Sequence, residues 1–181
     1  MYQRILVPVD GSHTSTLGLQ QAVKMASEHG AQIHVISIVD ESVVAMNFEG
    51  ALNSGDLIDA LRDAAKRAID NGMKLTGRHG VRADSALLET TGHRVSDAIV
   101  REAKKWKADL IVMGTHGRRG FDRMMLGSDA EAVLRTSPIP VLMVRSPDVV
   151  KRAKKKKCLR SCPNLMWIIM LWKRKFVDHI L

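Results

Sequence analysis

The chain has 181 residues, of which 45% are apolar and two are cysteine, so we expect one domain with an appendage and no small disulfide-stabilised fold. Its net charge of +9 arises in residues 149–181, which hold ten of the 28 Lys and Arg and one of the 19 Asp and Glu. The first 148 residues carry 18 basic and 18 acidic side chains and are neutral, which argues against nucleic-acid binding by the main domain.

The amino-terminal residues predict a cytoplasmic protein. Residues 5–9 form an apolar run that is too short for a secretory signal and turns directly into Asp10 and Gly11. No apolar run in the sequence approaches the roughly 20 residues that a membrane-spanning helix needs.

Apolar runs and helical patterns alternate through the first half of the chain. Residues 5–9 predict a buried strand, and a helical spacing over 17–26 predicts a helix that ends at Gly30. A second strand is expected at 33–39, and residues 42–52, which have no clean period, are interpreted as a loose connection. An amphipathic helix at about 56–75 and a third strand at 81–89 follow.

The same alternation continues in the second half. A helical spacing over 95–106 is followed by a fourth strand at 110–113, a short helix after Ser128 and a fifth strand between Pro140 and Val144. This order predicts an α/β fold with an open, five-stranded, mostly parallel sheet and helices on both faces, Rossmann-like in architecture. We expect a single domain over 1–146 and a separate tail over 147–181.

The stretch 114–128 is the strongest candidate for a ligand site. Gly114 ends the fourth strand, Gly117 follows after two residues, and Gly127 and Ser128 precede a helix. Glycines let backbone N–H groups approach a phosphate, and a helix N-terminus presents unpaired donors and a positive dipole. Ligands in parallel sheets bind beyond the carboxyl ends of the strands, where Asp10 and residues 38–40 are also expected.

Several of these residues also have a purely structural explanation. Ser128 and Glu131 match a capping box, in which Ser128 accepts a hydrogen bond from the backbone N–H of Glu131. Asp10 fits a turn or N-cap position, and Arg118 fits a solvent-facing loop charge. The sequence alone leaves both explanations open.

Catalytic motifs are absent from the sequence. It has no P-loop, and a single glycine, Gly11, follows the first strand where a Rossmann fingerprint needs three. The histidines are scattered without metal-ligand spacing, and no Ser–His–Asp order is supported. His116 lies inside the glycine loop, where we interpret it as a positioning residue, because no second titratable group is tied to it by sequence.

Four stretches carry a resemblance to a known family. They are Arg-Ile-Leu-Val-Pro-Val-Asp-Gly-Ser at 4–12, Ile-Val-Asp at 38–40, Met-Gly-Thr-His-Gly at 113–117 with Gly-Ser at 127–128, and Ser-Pro-Ile-Pro-Val-Leu at 137–142. Residues 2–145 therefore resemble a universal stress protein domain. The spacing Gly-x2-Gly-x9-Gly-Ser is similar to the ATP-binding signature of that family.

The resemblance implies an adenine-nucleotide pocket in an adenine-nucleotide α-hydrolase-like fold, with ATP or another adenine nucleotide and Mg or Mn as ligands. Asp10 would hold the ribose, with Pro8 and Val9 lining the site, and the backbone at Ile38, next to Val39, would meet adenine. The ribose and phosphate loop would comprise Met113, Gly114, His116, Gly117 and Arg118, with Gly127 and Ser128 on the phosphates.

Asp129 departs from the family pattern. It follows Gly127 and Ser128, where the best-known nucleotide binders of the family carry an uncharged residue. A carboxylate in the first turn stabilises the helix but repels phosphate, so we expect weaker triphosphate binding, a metal that offsets the charge, or a ligand with fewer phosphates.

The resemblance also implies a homodimer built on the last strand, from Pro140 to Val144. This run is apolar and would be an open sheet edge if it were unpaired, which favours aggregation. Pairing with a second copy would cover it.

The tail is outside the resemblance. A basic run at 151–157 precedes eight apolar residues at 165–172 and three basic residues at 173–175. This pattern suits contact with an anionic surface, and it is also explained by a disordered segment, a short helix, or a read-through or frameshifted extension without a selected role.

The function expected from the sequence is that of a dimeric stress-response regulator that binds ATP. The alternatives are a slow ATPase or adenylating enzyme of the same architecture, and a dimeric interaction module without a ligand.

Overall fold

The computed structural model describes residues 2–42, 54–115 and 127–145. Within them, five strands alternate with four helices. The strands are β1 (Arg4–Pro8), β2 (Gln32–Asp40), β3 (Ala83–Thr90), β4 (Leu110–Gly114) and β5 (Val141–Val144). The helices are α1 (His13–His29), α2 (Ser54–Arg78), α3 (Val95–Lys105) and α4 (Ser128–Thr136). The predicted connection at 42–52, apart from Ser42, and the predicted tail at 147–181 lie outside the described residues.

The five strands form one parallel sheet in the order β3-β2-β1-β4-β5. The chain moves outward from β1 through β2 to β3, crosses back to β4 on the other side of β1, and then adds β5. The direction in which successive strands are added to the sheet therefore reverses between β1 and β4. The predicted α/β fold with an open parallel sheet is confirmed, and the strand order adds the position of this reversal.

Helices cover both faces of the sheet. Ile5 and Val7 point to the face on which α1 and α2 pack, and Leu6 points to the opposite face, where α3 and α4 pack. Neighbouring residues in a strand point to opposite faces, so a strand covered on both sides must be apolar at every position. This explains the continuous apolar runs of the sequence, and Ile5, Leu6 and Val7 have no exposed surface. No helix among the described residues has both the length and the apolar character needed to cross a membrane.

A polar network closes the amino end of the sheet. His34 in β2 is 5% exposed, and its Nδ1 lies 2.5 Å from Oδ1 of Asp84 in β3. The imidazole stacks on Trp106 with 4.9 Å between ring centroids, and Trp106 Nε1 donates to Oδ2 of Asp84 at 3.1 Å. Arg4 lies on the Trp106 ring, with its Cζ 4.1 Å from the centroid, and donates to the Trp106 carbonyl. Asp84 therefore accepts hydrogen bonds from two aromatic N–H groups.

The substitution Asp84→Ala is expected to lower the free energy of unfolding by about 1–3 kcal/mol, because it leaves the buried His34 N–H without an acceptor. Chemical denaturation of the full chain measures the change. Asp70→Ala, which removes an exposed carboxylate from α2, serves as the control, and its free energy of unfolding should stay close to that of the wild type. Equal midpoints for the two variants would contradict this role of Asp84.

Candidate functional site

The strand order produces a crevice at the carboxyl edge of the sheet, between β1 and β4. The helix that follows β1, α1, packs on one face, and the helix that follows β4, α4, packs on the other. The two connections therefore diverge, and ligands of open α/β sheets bind in the space they leave. The predicted site residues Pro8, Val9 and Asp10 leave β1 here, and Met113 and Gly114 leave β4 beside them.

The first turn of α1 packs directly on Gly114. A Cβ atom on Gly114 would lie 2.7 Å from the carbonyl carbon of Thr14 and 3.0 Å from the backbone N of Ser15. A Cβ atom on Gly18, one turn further along α1, would lie 3.3 Å from the backbone N of Gly114. These two glycines allow the amino end of α1 to lie against the end of β4, where the crevice opens.

The described residues on either side of 116–126 meet at the same point. Thr115 N–H donates to the Val144 carbonyl at 3.0 Å, and Gly127 N–H donates to the Thr115 carbonyl at 2.9 Å. Thr115 and Gly127 are thus neighbours at the edge of the crevice. The predicted site residues His116, Gly117 and Arg118 belong to the intervening segment and lie outside the described residues.

The capping-box interpretation of Ser128 is wrong. The N-cap of α4 is Gly127, which has no side chain to cap the helix, and Ser128 is the first helical residue. Glu131 N–H donates to the backbone carbonyl of Gly127 at 2.8 Å, an ordinary helical bond, and Glu131 forms an ion pair with Arg135 at 3.7 Å. Because the N-cap residue Gly127 has no side chain, the first turn of α4 brings backbone N–H groups next to Thr115.

The turn before α1 fixes Asp10 at the edge of the crevice. Asp10 Oδ1 accepts a hydrogen bond from the Ser12 N–H at 2.9 Å, and the Asp10 N–H donates to Ser15 Oγ at 3.4 Å. Ser12 is the N-cap of α1, and its Oγ accepts from the Ser15 N–H at 3.2 Å. Asp10 therefore has the turn role that the sequence allowed, and Ser15 connects it to the same helical turn that contacts Gly114.

Strand β2 extends beyond the end of β1. The last paired residues of the two strands are Pro8 and Ile36, whereas β2 and β3 stay paired as far as Asp40 and Thr90. The Ile36 carbonyl accepts from the Val9 N–H at 2.8 Å and so points towards β1. Backbone groups alternate sides along an extended strand, so the N–H and C=O of Ile38 point the same way, beyond the paired part of β1.

The two residues after Ile38, Val39 and Asp40, have side chains that are used within the protein. Val39 is 3% exposed, so its side chain belongs to the core, and it has only backbone atoms to offer a ligand. Asp40 Oδ1 accepts from the N–H of Ser42 at 3.0 Å and from its Oγ at 2.5 Å. Ile38 is therefore the predicted residue of this strand whose backbone best reaches the crevice.

A charged cluster joins the carboxyl ends of β2 and β3 to the amino-terminal half of α2. Arg62 in α2 donates through Nη2 to Glu41 Oε1 at 2.9 Å and through Nε to Glu89 Oε1 at 2.7 Å, and its Nη1 lies 3.4 Å from Asp59 Oδ1. The hydrogen bonds from Arg62 lower the pKa of Glu89, with a further contribution from the charge of Lys66, and the bonds to Glu89 raise the pKa of Arg62. Arg62 and Glu89 therefore both stay charged at neutral pH.

The described residues contain no group of three or more His, Cys, Asp or Glu placed to hold a metal ion.

Sequence reasoning missed the residues that shape the site without belonging to a motif. Ser15, Gly18 and Arg62 act through contacts with residues distant in sequence. The available signals were weak: a hydroxyl residue shortly before a predicted helix, a glycine inside a helical pattern, and an arginine within a predicted amphipathic helix.

Comparisons with known proteins agree over the same part of the chain. The model of the universal stress protein family matches residues 1–145. A universal stress protein of Methanocaldococcus jannaschii is 37% identical over 149 residues, which are 81% of this chain and 84% of that protein.

Solved structures with the same fold belong to the same family. A universal stress protein family member from Burkholderia pseudomallei has 32% identity and a TM-score of 0.67, covering 80% of this chain and 97% of that one. A universal stress protein in complex with cAMP has 25% identity and a TM-score of 0.51, covering 80% of this chain and 97% of that one.

The substitution Gly114→Ala is expected to lower the free energy of unfolding by about 1–3 kcal/mol, because its Cβ would meet backbone atoms of Thr14 that cannot move independently. Thermal and chemical denaturation measure this loss. Gly77→Ala is the control, since a Cβ there meets nothing within 4 Å and Ala favours a helix. A Gly114→Ala variant as stable as Gly77→Ala would contradict the tight contact.

Proposed function

We propose that this chain, which belongs to the universal stress protein family, binds an adenine nucleotide, ATP by preference, in the crevice between β1 and β4. The observation that carries the proposal is the backbone of Ile38, which extends past the end of β1 and points into the crevice. In this proposal the protein is a cytoplasmic, dimeric stress-response regulator whose partner-binding surface depends on the bound nucleotide.

The backbone of Ile38 suits adenine by its hydrogen-bonding pattern. A backbone C=O can accept from the N6 amino group of adenine, and the N–H of the same residue can donate to N1. Guanine presents an acceptor and a donor in the reverse arrangement on this edge, so the same backbone groups would disfavour it. The proposed base site thus selects adenine without a charged side chain.

The ribose and the phosphates are proposed to lie towards β4 and α4. Asp10 is fixed at the edge of the crevice by its turn, within reach of a ribose hydroxyl in this arrangement, and Met113 and Gly114 form the adjacent strand end. Gly127 and Ser128 begin α4, and the positive dipole at the amino end of this helix favours an anion. His116, Gly117 and Arg118 are proposed to complete the phosphate site.

The structural relative that contains cAMP supports the ligand class. That protein shares the fold and 25% of its residues with this chain, and an adenine nucleotide is the ligand named for it. The proposal for ATP in this chain rests in addition on the glycine spacing at 114–128.

The outer edge of β5 is the proposed dimer interface. Strand β5 pairs with β4 on one side, and within residues 2–42, 54–115 and 127–145 no strand pairs with its other side. All four of its residues are apolar and partly exposed. The opposite edge strand, β3, carries Asp84, Ser85 and Glu89, which discourage edge-to-edge pairing.

The nucleotide proposal predicts that the purified full chain binds ATP with Mg in calorimetric titration, and that the Asp129→Asn variant binds it about fivefold more tightly. The variant removes a repulsion of about 1 kcal/mol between the carboxylate and a phosphate. Asp70→Asn, which removes a similar charge from α2, should leave the affinity unchanged. Absence of binding at millimolar ATP would refute the proposal and leave a ligand-free interaction module.

The dimer proposal predicts that Met143→Pro yields a folded monomer in analytical ultracentrifugation. The Val144 carbonyl accepts from Thr115 in the direction of β4, so the backbone groups of the alternate residue Met143 point outward and a proline there removes an N–H that β4 does not use. Leu142→Pro, which removes an N–H directed at β4, should unfold the domain. A dimeric Met143→Pro variant would exclude this interface.

A further inference from the structure

We infer that Arg62 is a positioning residue for the nucleobase, which it serves by fixing the extended end of β2 against β3. The inference rests on the proposed adenine site at Ile38. Arg62 belongs to no motif of the sequence, and its contacts are with residues at the ends of β2 and β3, the strands that support Ile38.

The end of β2 is supported from one side only. Beyond Ile36, β1 no longer pairs with β2, so the last residues of the strand depend on β3 for their backbone hydrogen bonds. Glu41 N–H donates to the Thr90 carbonyl at 3.0 Å, which extends this pairing by one more bond. A strand end that is paired on one side frays more readily than one that is paired on both.

Arg62 connects the two strands where this support ends. One guanidinium donates to Glu41, directly after β2, and to both carboxylate oxygens of Glu89, at 2.7 and 3.2 Å, near the end of β3. Glu89 is the residue paired with Val39, the neighbour of Ile38. Glu41 Oε2 also accepts from Thr91 Oγ1 at 3.0 Å, so the Glu41 carboxylate is held from two sides.

The charges in this cluster make Arg62 difficult to replace. Glu41, Asp59 and Glu89 surround one guanidinium, so the four groups together have an excess of negative charge. Without Arg62 the carboxylates of Glu41 and Glu89 would face each other across the two strand ends and repel. Lysine would restore the charge but not the simultaneous donation to two carboxylates, which requires the planar fork of arginine.

The location of the cluster predicts which part of the nucleotide depends on it. Arg62 acts on β2 and β3, on the side of the crevice where the base is proposed, whereas the phosphates are proposed at Gly114 and α4 across β1. Loss of Arg62 should therefore weaken recognition of adenine and leave phosphate binding intact.

The test measures binding of ATP, GTP and inorganic tripolyphosphate, each with Mg, to the full-length wild type and to Arg62→Ala, Arg62→Lys and Arg67→Ala. Arg62→Ala should bind ATP about tenfold more weakly, as expected when about one or two hydrogen bonds are weakened, with a reduced preference for ATP over GTP. Its affinity for tripolyphosphate should stay within about twofold of the wild type. Arg62→Lys should recover only part of the ATP affinity, and Arg67→Ala, exposed on the same helix, should behave as the wild type.

The outcomes separate this inference from the proposed function. If the wild type binds no ATP, the nucleotide site itself is refuted. If the wild type binds ATP and Arg62→Ala binds it equally well, or loses ATP and tripolyphosphate affinity in parallel, the positioning role of Arg62 is wrong. Should Arg62→Ala fail to fold, Glu89→Gln gives the same test, because it weakens the same contact while it keeps the size of the side chain.

Discussion

The parallel pairing of β1 with a neighbour on each side is the constraint on which the site depends. It places β2 and β4 next to the same strand, and the shorter β1 leaves the end of β2 projecting over the crevice. The backbone of Ile38 faces the crevice because β1 has ended, and Gly114 meets α1 because the helix starts directly beyond β1. The length of β1 thus determines the position of both walls of the candidate site.

Much of the fold was predictable from the sequence, because a strand buried on both faces must be apolar throughout and the runs at 5–9 and 110–113 meet that demand. The strand order was not predictable from these runs, since it depends on which helix packs on which face. The site residues also differ in whether a local sequence pattern could predict them. Local motifs identify Asp10, Gly114 and Gly127. The capping box predicted at Ser128 does not form, because Gly127 is the N-cap of α4 and Ser128 is its first helical residue.

Arg62 illustrates what a sequence cannot disclose. Its partners Glu41 and Glu89 lie 21 and 27 residues away, and a helical pattern identifies Arg62 only as part of a polar face. The same holds for the network of His34, Asp84 and Trp106, whose members come from three elements. Contacts of this kind depend on tertiary packing, and they occur at both ends of the sheet in this protein.

The hydrogen bond between Gly127 and the Thr115 carbonyl has a consequence for how such a domain can change over time. Thr115 and Gly127 flank 116–126 and are joined by this hydrogen bond. Insertions or deletions between them therefore need not change the positions of β4, β5 or α4. Closing a loop of twice the length costs only about 0.6 kcal/mol more. Changes of sequence or length between Thr115 and Gly127 would therefore act on the proposed phosphate site while the scaffold stays the same.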